Sequence, residues 1–330
     1  MASGLPFDDF RNLLTMLPTP DHAAGQRVET ELRTRASGQN LGRLADIARW
    51  YGTWSGRPLK PVSRPLCAVF AGNHGHAYAP DTPWDAARTQ AMVDLAAAGG
   101  SAVNGACVAQ DVGLRILDLA LDHPTADIRA DAALDERACA ATMAFGMEAM
   151  AGGSDLLAIG AMGEGSDVSS AALLTAMFGG SADVFVGEAT DDLSAAREAA
   201  VKAALRQHKG HLSDPFEALR RLGGREHAAM AGLLLASRLE SVPVVVSGRT
   251  ALAVLTVLHK ANAMAVGHCI LADPGRQPGA ARAARRLGLT PLLDYGMDTD
   301  DGAAAVLGAG LVKTAVNMAS VMAEPVQAER

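Results

Sequence analysis

Five short runs rich in Val, Ile and Leu recur along the chain: "LCAVFAG" at 66–72, "LRILDLAL" at 114–121, "LLAIGAM" at 156–162, "VPVVVSG" at 242–248 and "HCILAD" at 268–273. None alternates polar with apolar residues. A strand with one wet face would alternate, so these runs predict strands buried on both faces, as in a parallel sheet covered by helices. Helical patterns fall between them, at Ala86–Ala98, Glu136–Ala151, Ser169–Met177, Ser194–His208, Arg225–Leu239 and Ala251–Ala261. Strand alternating with helix predicts an α/β fold with an open, doubly wound parallel sheet of the Rossmann-like kind. In such a sheet ligands sit beyond the carboxyl ends of the strands. The segments to watch are therefore "GNHGHAYAPDTPW", the loop after Asp118–Leu121, "GAMGEGSDVSS", "SGRTALA" and "ADPGRQPG".

The chain ends bracket this pattern. Residues 1–60, with "RTRASGQNLGRL", and a C-terminal helix at Ala303–Met322 predict a small helical unit beside a sheet domain at 61–300, completed by 301–330. The 330 residues are 49% apolar and only 4% aromatic, so the core must be packed with Ala, Leu, Val and Met. A formal charge of −7 without any Lys/Arg cluster argues against a nucleic-acid surface. Cys67, Cys107, Cys139 and Cys269 are widely spaced, as expected of structural thiols in a reducing compartment. The N-terminus "MASGLPFDDF" has no basic segment followed by an apolar run. The longest apolar run, "AAMAGLLLAS", is too short to cross a bilayer. The expectation is a cytoplasmic protein with no membrane partner.

The stretch Leu156–Met177 reads as an apolar strand, a glycine-spaced loop and an alanine-rich helix, a layout that presents backbone N–H groups to an anion. Yet Glu164 and Asp167 put negative charge into that loop. They suit either a decayed phosphate site or one rebuilt for a cation or a neutral ligand. Other candidates weigh less. His74 and His76 could ligate a metal, but no third ligand stands at helpful spacing. Asp298, Asp300 and Asp301 lack the spacing and distal Glu of a calcium loop and read as an acidic turn capping a helix. Ser247 lacks a nucleophile elbow, and Met318 and Met322 read as packing residues.

Longer stretches carry a resemblance. "FAGNHG" after the first strand, "LSDPFEALRRLGGREHAAMAGLLLASRLESVPVVVSG" in the middle and "LGLTPLLDYGM" before a Gly/Ala-rich helix resemble the nicotinate-nucleotide:dimethylbenzimidazole phosphoribosyltransferase family. "SGLPFDDFRNLL", "LDLALDHPTADI" and "CAATMAFGMEAMAGG" are similar to its alphaproteobacterial branch. The similarity runs nearly the whole chain. It implies a homodimeric enzyme that attaches the lower-ligand base of cobalamin to ribose phosphate, with a small-molecule base and a nucleotide as ligands and no metal or organic cofactor.

Carried over residue by residue, the resemblance implies Asp301 as the general base, in the place of a family Glu one methylene longer. A carboxylate within hydrogen-bond reach suffices for that role, although the shorter side chain changes the reach. Asn73, His74, Trp84, Gln90 and Met162 are expected at the base. Gln90 lies one position from the family's Gln, at Ala91. Gly163, Gly165, Ser166, Arg197 and Arg276 are expected at the phosphate and ribose. Departures from the family pattern gather in this crevice: Ala161 replaces a carboxylate, Glu164 and Asp167 are new, the loop "VGEATDD" is shortened, and "DPGRQPG" replaces a segment near the phosphate. They leave two readings open. One is a transferase with weak or altered activity. The other is a non-catalytic paralogue that binds a base or nucleotide, or partners an intact transferase subunit in a heterodimer.

Overall fold

A computed structural model describes residues 5–35, 40–80, 82–188 and 190–323. Parts of five expectations lie outside these residues: the first four positions of the N-terminal segment, part of "RTRASGQNLGRL", position 81 in "GNHGHAYAPDTPW", position 189 in the shortened loop and the last seven positions of the C-terminal segment. Among the described residues five strands form: β1 (Pro65–Ala71), β2 (Gly113–Asp118), β3 (Leu156–Met162), β4 (Val244–Val246) and β5 (Cys269–Leu271). The helices are α1 (Pro6–Thr15), α2 (His22–Arg35), α3 (Arg43–Ser55), α4 (Arg88–Ala97), α5 (Ala102–Gln110), α6 (Glu136–Glu148), α7 (Ser166–Phe178), α8 (Asp183–Val186), α9 (Asp192–Gln207), α10 (Pro215–Leu222), α11 (Arg225–Leu239), α12 (Gly248–Ala261), α13 (Ala280–Arg286) and α14 (Ala303–Ala323).

The strands pair in the order β2-β1-β3-β4-β5, every pair parallel. β3 and β4 are buried at every residue and β1 at its last five, which is what unalternated apolar runs require. Strand order reverses between β1 and β3, so the loops leaving these two neighbours part to opposite sides and open a crevice at their carboxyl ends. The backbone ties the mouth of that crevice together: Gly72 N–H donates to Met162 O at 3.0 Å.

Helices cover both faces. One core layer packs α6, α7, α10, α11 and α12 onto the sheet; the other is built by α5 and α14 around Cys67, Val69, Ala158 and Val245. α6 and α11 approach at two glycines. A Cβ on Gly146 would run into the backbone of Ala229, and one on Gly232 into the carbonyl of Met143. Gly232→Ala therefore forces the helices apart, and we expect a loss of about 1–3 kcal/mol, read as a lower denaturant midpoint at unchanged m-value. An unchanged midpoint would contradict this packing.

The chain termini divide differently from one another. α2, α3 and the end of α14 share a small cluster of Val28, Leu32, Ala48 and Ala319. α1 instead joins the main core, stacking Phe7 on Phe216 with ring centroids 5.5 Å apart. α14 spans both: Ala305, Val306 and Ala309 lie on the sheet, Ala319 in the small cluster.

Candidate active site

Each crevice residue is placed by the turn at the end of its strand. After β1 the chain passes through Gly72 and sets Asn73, which is 4% exposed. Asn73 Nδ2 donates to Leu121 O at 2.9 Å and Tyr78 Oη at 2.8 Å, while its Oδ1 is buried without a protein partner. Trp84 follows, also buried, with Nε1 unpartnered and its ring edge-on to His76 at 5.5 Å. His76 Nε2 lies 3.1 Å from Gly165 O, and its Nδ1 is unpartnered. Burial, then the neighbouring His74, push its pKa down to about 3, so it is a neutral ring. Ser247 follows β4, and its hydroxyl is likewise buried and unpartnered. Buried polar atoms without protein partners are rare. Among the described residues, four of them ring the carboxyl ends of β1, β3 and β4, where the topology opens its crevice.

Asp301 arrives from the other side of the sheet. A Cβ on Gly160 would meet the backbone of Asp301 and Gly302, so the bare glycine of β3 lets this loop lie directly on the strand. Gly302 then turns into α14 at φ +94°, a conformation suited to glycine. Asp301 Oδ1 accepts from Thr299 Oγ1 at 2.8 Å and from Ala303 N at 3.0 Å, capping α14. These bonds leave Oδ2 open. The residue is half-buried, and its backbone lies against Gly160 of β3.

The loop Gly163–Gly165 enters α7 as expected of an anion-binding turn, with Gly165 at φ +89°. Its acidic residues are not isolated. Glu164 lies 3.7 Å from Arg88, and Asp167 pairs with Arg197. The sequence shows no cation beside them because α4 and α9 are remote along the chain. The negative charge expected at this helix terminus is thus compensated, at the cost that Arg197 is engaged with Asp167.

Beneath the loop His74 is wholly buried and faces inward. Its Nε2 lies 2.7 Å from Glu226 Oε1 and its Nδ1 lies 3.0 Å from Ser169 Oγ. Ser166 Oγ donates to the same Glu226 oxygen at 2.8 Å. His227 Nδ1 lies 2.8 Å from it, and Ser170 Oγ joins His227 Nε2 at 2.9 Å. Burial alone would raise the Glu226 carboxyl, but His74 and His227 outweigh it and hold it well below the ordinary carboxylate range. Ligand atoms of His74, Glu226 and His227 all fall within 4.8 Å, a donor set that would suit a divalent cation. Here both histidine rings face the one carboxylate oxygen, Glu226 Oε1. His74 and His76 thus do not act together as a metal pair; Glu226 and His227, adjacent in the first turn of an otherwise apolar helix, are the partners that sequence spacing missed.

Gln90 is not brought into the crevice. It is exposed and donates to Asp94 within α4, while its neighbour Thr89 turns inward and accepts from Glu164 N at 2.9 Å. Met162 ends β3 buried. Arg276 is exposed and packs across Gly296, near the segment that leads to Asp301. A cavity of about 600 Å³ beside β5 is lined by Trp50, Leu255, His259 and Leu289, and none of the crevice residues lines it.

Known proteins similar in sequence and fold give the chain's family. A family model described as phosphoribosyltransferase matches residues 17–329. The nicotinate-nucleotide–dimethylbenzimidazole phosphoribosyltransferase of Sinorhizobium medicae is 51% identical over 332 residues, covering 99% of this chain and 98% of that protein. The protein of the same name from Brucella melitensis is 49% identical over 326 residues, covering 98% and 96%. The crystal structure of a phosphoribosyltransferase of this name from Thermus thermophilus superposes with a TM-score of 0.83 at 26% identity, covering 91% of this chain and 96% of that one. This chain therefore belongs to the nicotinate-nucleotide–dimethylbenzimidazole phosphoribosyltransferase family.

Proposed function

We propose that this chain transfers the phosphoribosyl group of nicotinate mononucleotide to dimethylbenzimidazole or a related aromatic base, a step of cobalamin lower-ligand assembly. A ring nitrogen of the base attacks ribose C1′, and the C1′–N bond to nicotinate breaks with its electron pair passing to the nicotinate nitrogen. The second ring nitrogen loses its proton to Asp301. The observation that carries this reading is Asp301 Oδ2: a carboxylate oxygen left open, on a carboxylate whose other oxygen is fixed. Asn73, Trp84 and Met162 would enclose the base and the turn Gly163–Ser166 the phosphate, with Arg276 at the rim. The site uses no metal or organic cofactor in this scheme.

We place the protein in the cytoplasm as a homodimer. Two stretches, Arg88–Gln110 and Ala303–Met322, have the length and apolarity of a membrane span. The first is broken into α4 and α5, however, and α14 is largely packed on the sheet. Leu95 and Val108, 52% and 85% exposed on α4 and α5, are apolar side chains that we propose the partner covers. The second reading, a paralogue that binds ligand or pairs with an intact subunit without turnover, is favoured by Ala161 in place of the family carboxylate and by Gln90 facing solvent.

Calorimetry tests the nucleotide site. Nicotinate mononucleotide should bind with one site per chain, and Asp167→Asn, which releases Arg197, should tighten it about tenfold, equivalent to about 1.4 kcal/mol. Absence of binding in both proteins would contradict the placement of the phosphate at α7.

A further inference from the structure

We propose that Asp300 is a positioning residue for Asp301, clamping the base-bearing loop between β3 and the N-terminus of α12. This inference rests on the transferase reading above for its kinetic consequence, though not for its structural one. Asp300 Oδ1 accepts from Arg249 N at 3.1 Å; Oδ2 accepts from Thr250 N at 3.2 Å and from Thr250 Oγ1 at 2.6 Å. The side chain thus supplies the anion that the unpaired N–H groups and dipole of a helix start favour. The main chain of the same residue faces the sheet: Asp300 O accepts from Ala161 N at 2.6 Å.

One residue is therefore held from both directions, by its carbonyl on β3 and its carboxylate on α12. Gly248 makes room for this, since a Cβ there would overlap Asp300 Oδ1. The next residue is the base, and its backbone rests on Gly160. With Asp300 fixed on one side and the α14 cap on the other, Asp301 has little freedom left except in the direction of its open Oδ2. The clamp also has a foundation. Thr250 Oγ1 accepts from Ser170 Oγ at 3.3 Å, and Ser170 joins His227, Glu226 and His74 in the buried network under the phosphate loop. A single chain of polar contacts thus runs from below α7 to the residue before the base.

The test compares Asp300→Asn, Thr250→Val and Thr250→Ser with the unmodified protein, by kinetics and by amide exchange, with thermal melts to confirm folding. A displacement of about 1 Å in a reacting group costs on the order of 100-fold. Asp300→Asn and Thr250→Val should lower kcat by roughly 10- to 100-fold while leaving KM for both substrates within about threefold, because the clamp acts on the transition state and not on ground-state binding. Thr250→Ser keeps the hydroxyl and should recover most of the loss. Combined with Asp301→Asn, Asp300→Asn should remove nothing further, since it acts through a base already lost. Amides of residues 299–303 should exchange about tenfold faster in Asp300→Asn and Thr250→Val.

Wild-type kcat in folded Asp300→Asn, or an undiminished effect in the Asp301→Asn background, would overturn the proposal. Should the unmodified protein lack turnover, the transferase reading falls. The exchange measurement still decides the clamp, because unchanged exchange at 299–303 in both variants would overturn it.

Discussion

Asp301→Asn should lower kcat by about 10²- to 10⁴-fold, the range that a positioned general base contributes, while substrate affinity stays within a few-fold. The asparagine is nearly isosteric and its carbonyl oxygen can still accept from Thr299 Oγ1 and Ala303 N, as Asp301 Oδ1 does. The α14 cap therefore survives, and with it the loop. What is lost is the second oxygen's capacity to hold a proton. An interaction made only as the base nitrogen is deprotonated lowers the barrier without improving ground-state binding, so the loss belongs in kcat and not in KM. Asp301→Glu keeps a carboxylate and should retain turnover where Asn loses it. Steady-state kinetics of the three proteins give the answer. Equal kcat for the unmodified protein and Asp301→Asn would remove Asp301 from the chemistry.

Acid should destabilise the protein steeply, for a reason seated in two buried imidazoles. Burial, with His74, takes His76 down to about 3, and burial, with Arg238, takes His268 to about 3. Both rings are therefore neutral in the folded chain at pH values where the unfolded chain, with its ordinary histidine pKa near about 6.5, binds protons. Unfolding then takes up protons, so stability is full above about pH 6.5 and is lost as pH falls towards about 3. Each ring contributes about 1.4 kcal/mol per pH unit well inside that window, or about 2 kcal/mol at pH 5, and the pair about 4 kcal/mol. Against a typical total of about 5–15 kcal/mol, that loss is large. Glu226, held low, adds a loss of the same sign below about pH 4.3. Asp300, raised by burial, runs the other way and recovers a part. Thermal melts between pH 7.5 and 4.5 should fall progressively below about pH 6.5. His268→Gln should have a shallower slope than the unmodified protein. Melting temperatures that stay level from pH 7 to 5 would contradict the assignment.

The sheet was legible in the sequence because strands buried on both faces need no alternation, and all five apolar runs became parallel strands; the expected burial fails at β2, which lies at the sheet edge and has no fully buried residue. The strand-end loops were legible too, since a doubly wound sheet leaves few other places for a ligand. Helices α5, α8, α10 and α13 were not, being short or interrupted by glycine and charge. What stayed hidden was every contact that depends on side chains remote in sequence. Glu164 and Asp167 read as an uncompensated acidic pair until α4 and α9 brought Arg88 and Arg197 to them. His74 read as a residue of the base pocket, yet Glu226, 152 positions away, and its neighbour His227 turn it into the core. Gln90 and Thr89 differ by one residue, which on a helix is a rotation of about 100°, enough to exchange which of them meets the loop. Asp300 read as one member of an acidic turn; its contact with α12 emerges only once the helix start is placed beside it.

The central claim is tested most directly by incubating the purified protein with nicotinate mononucleotide and dimethylbenzimidazole and measuring both products. The transferase reading predicts nicotinate and the ribosylated base phosphate in equal amounts, formed only when both substrates are present and abolished in Asp301→Asn. Release of neither product by folded protein at saturating substrates would contradict it and leave the non-catalytic binding paralogue.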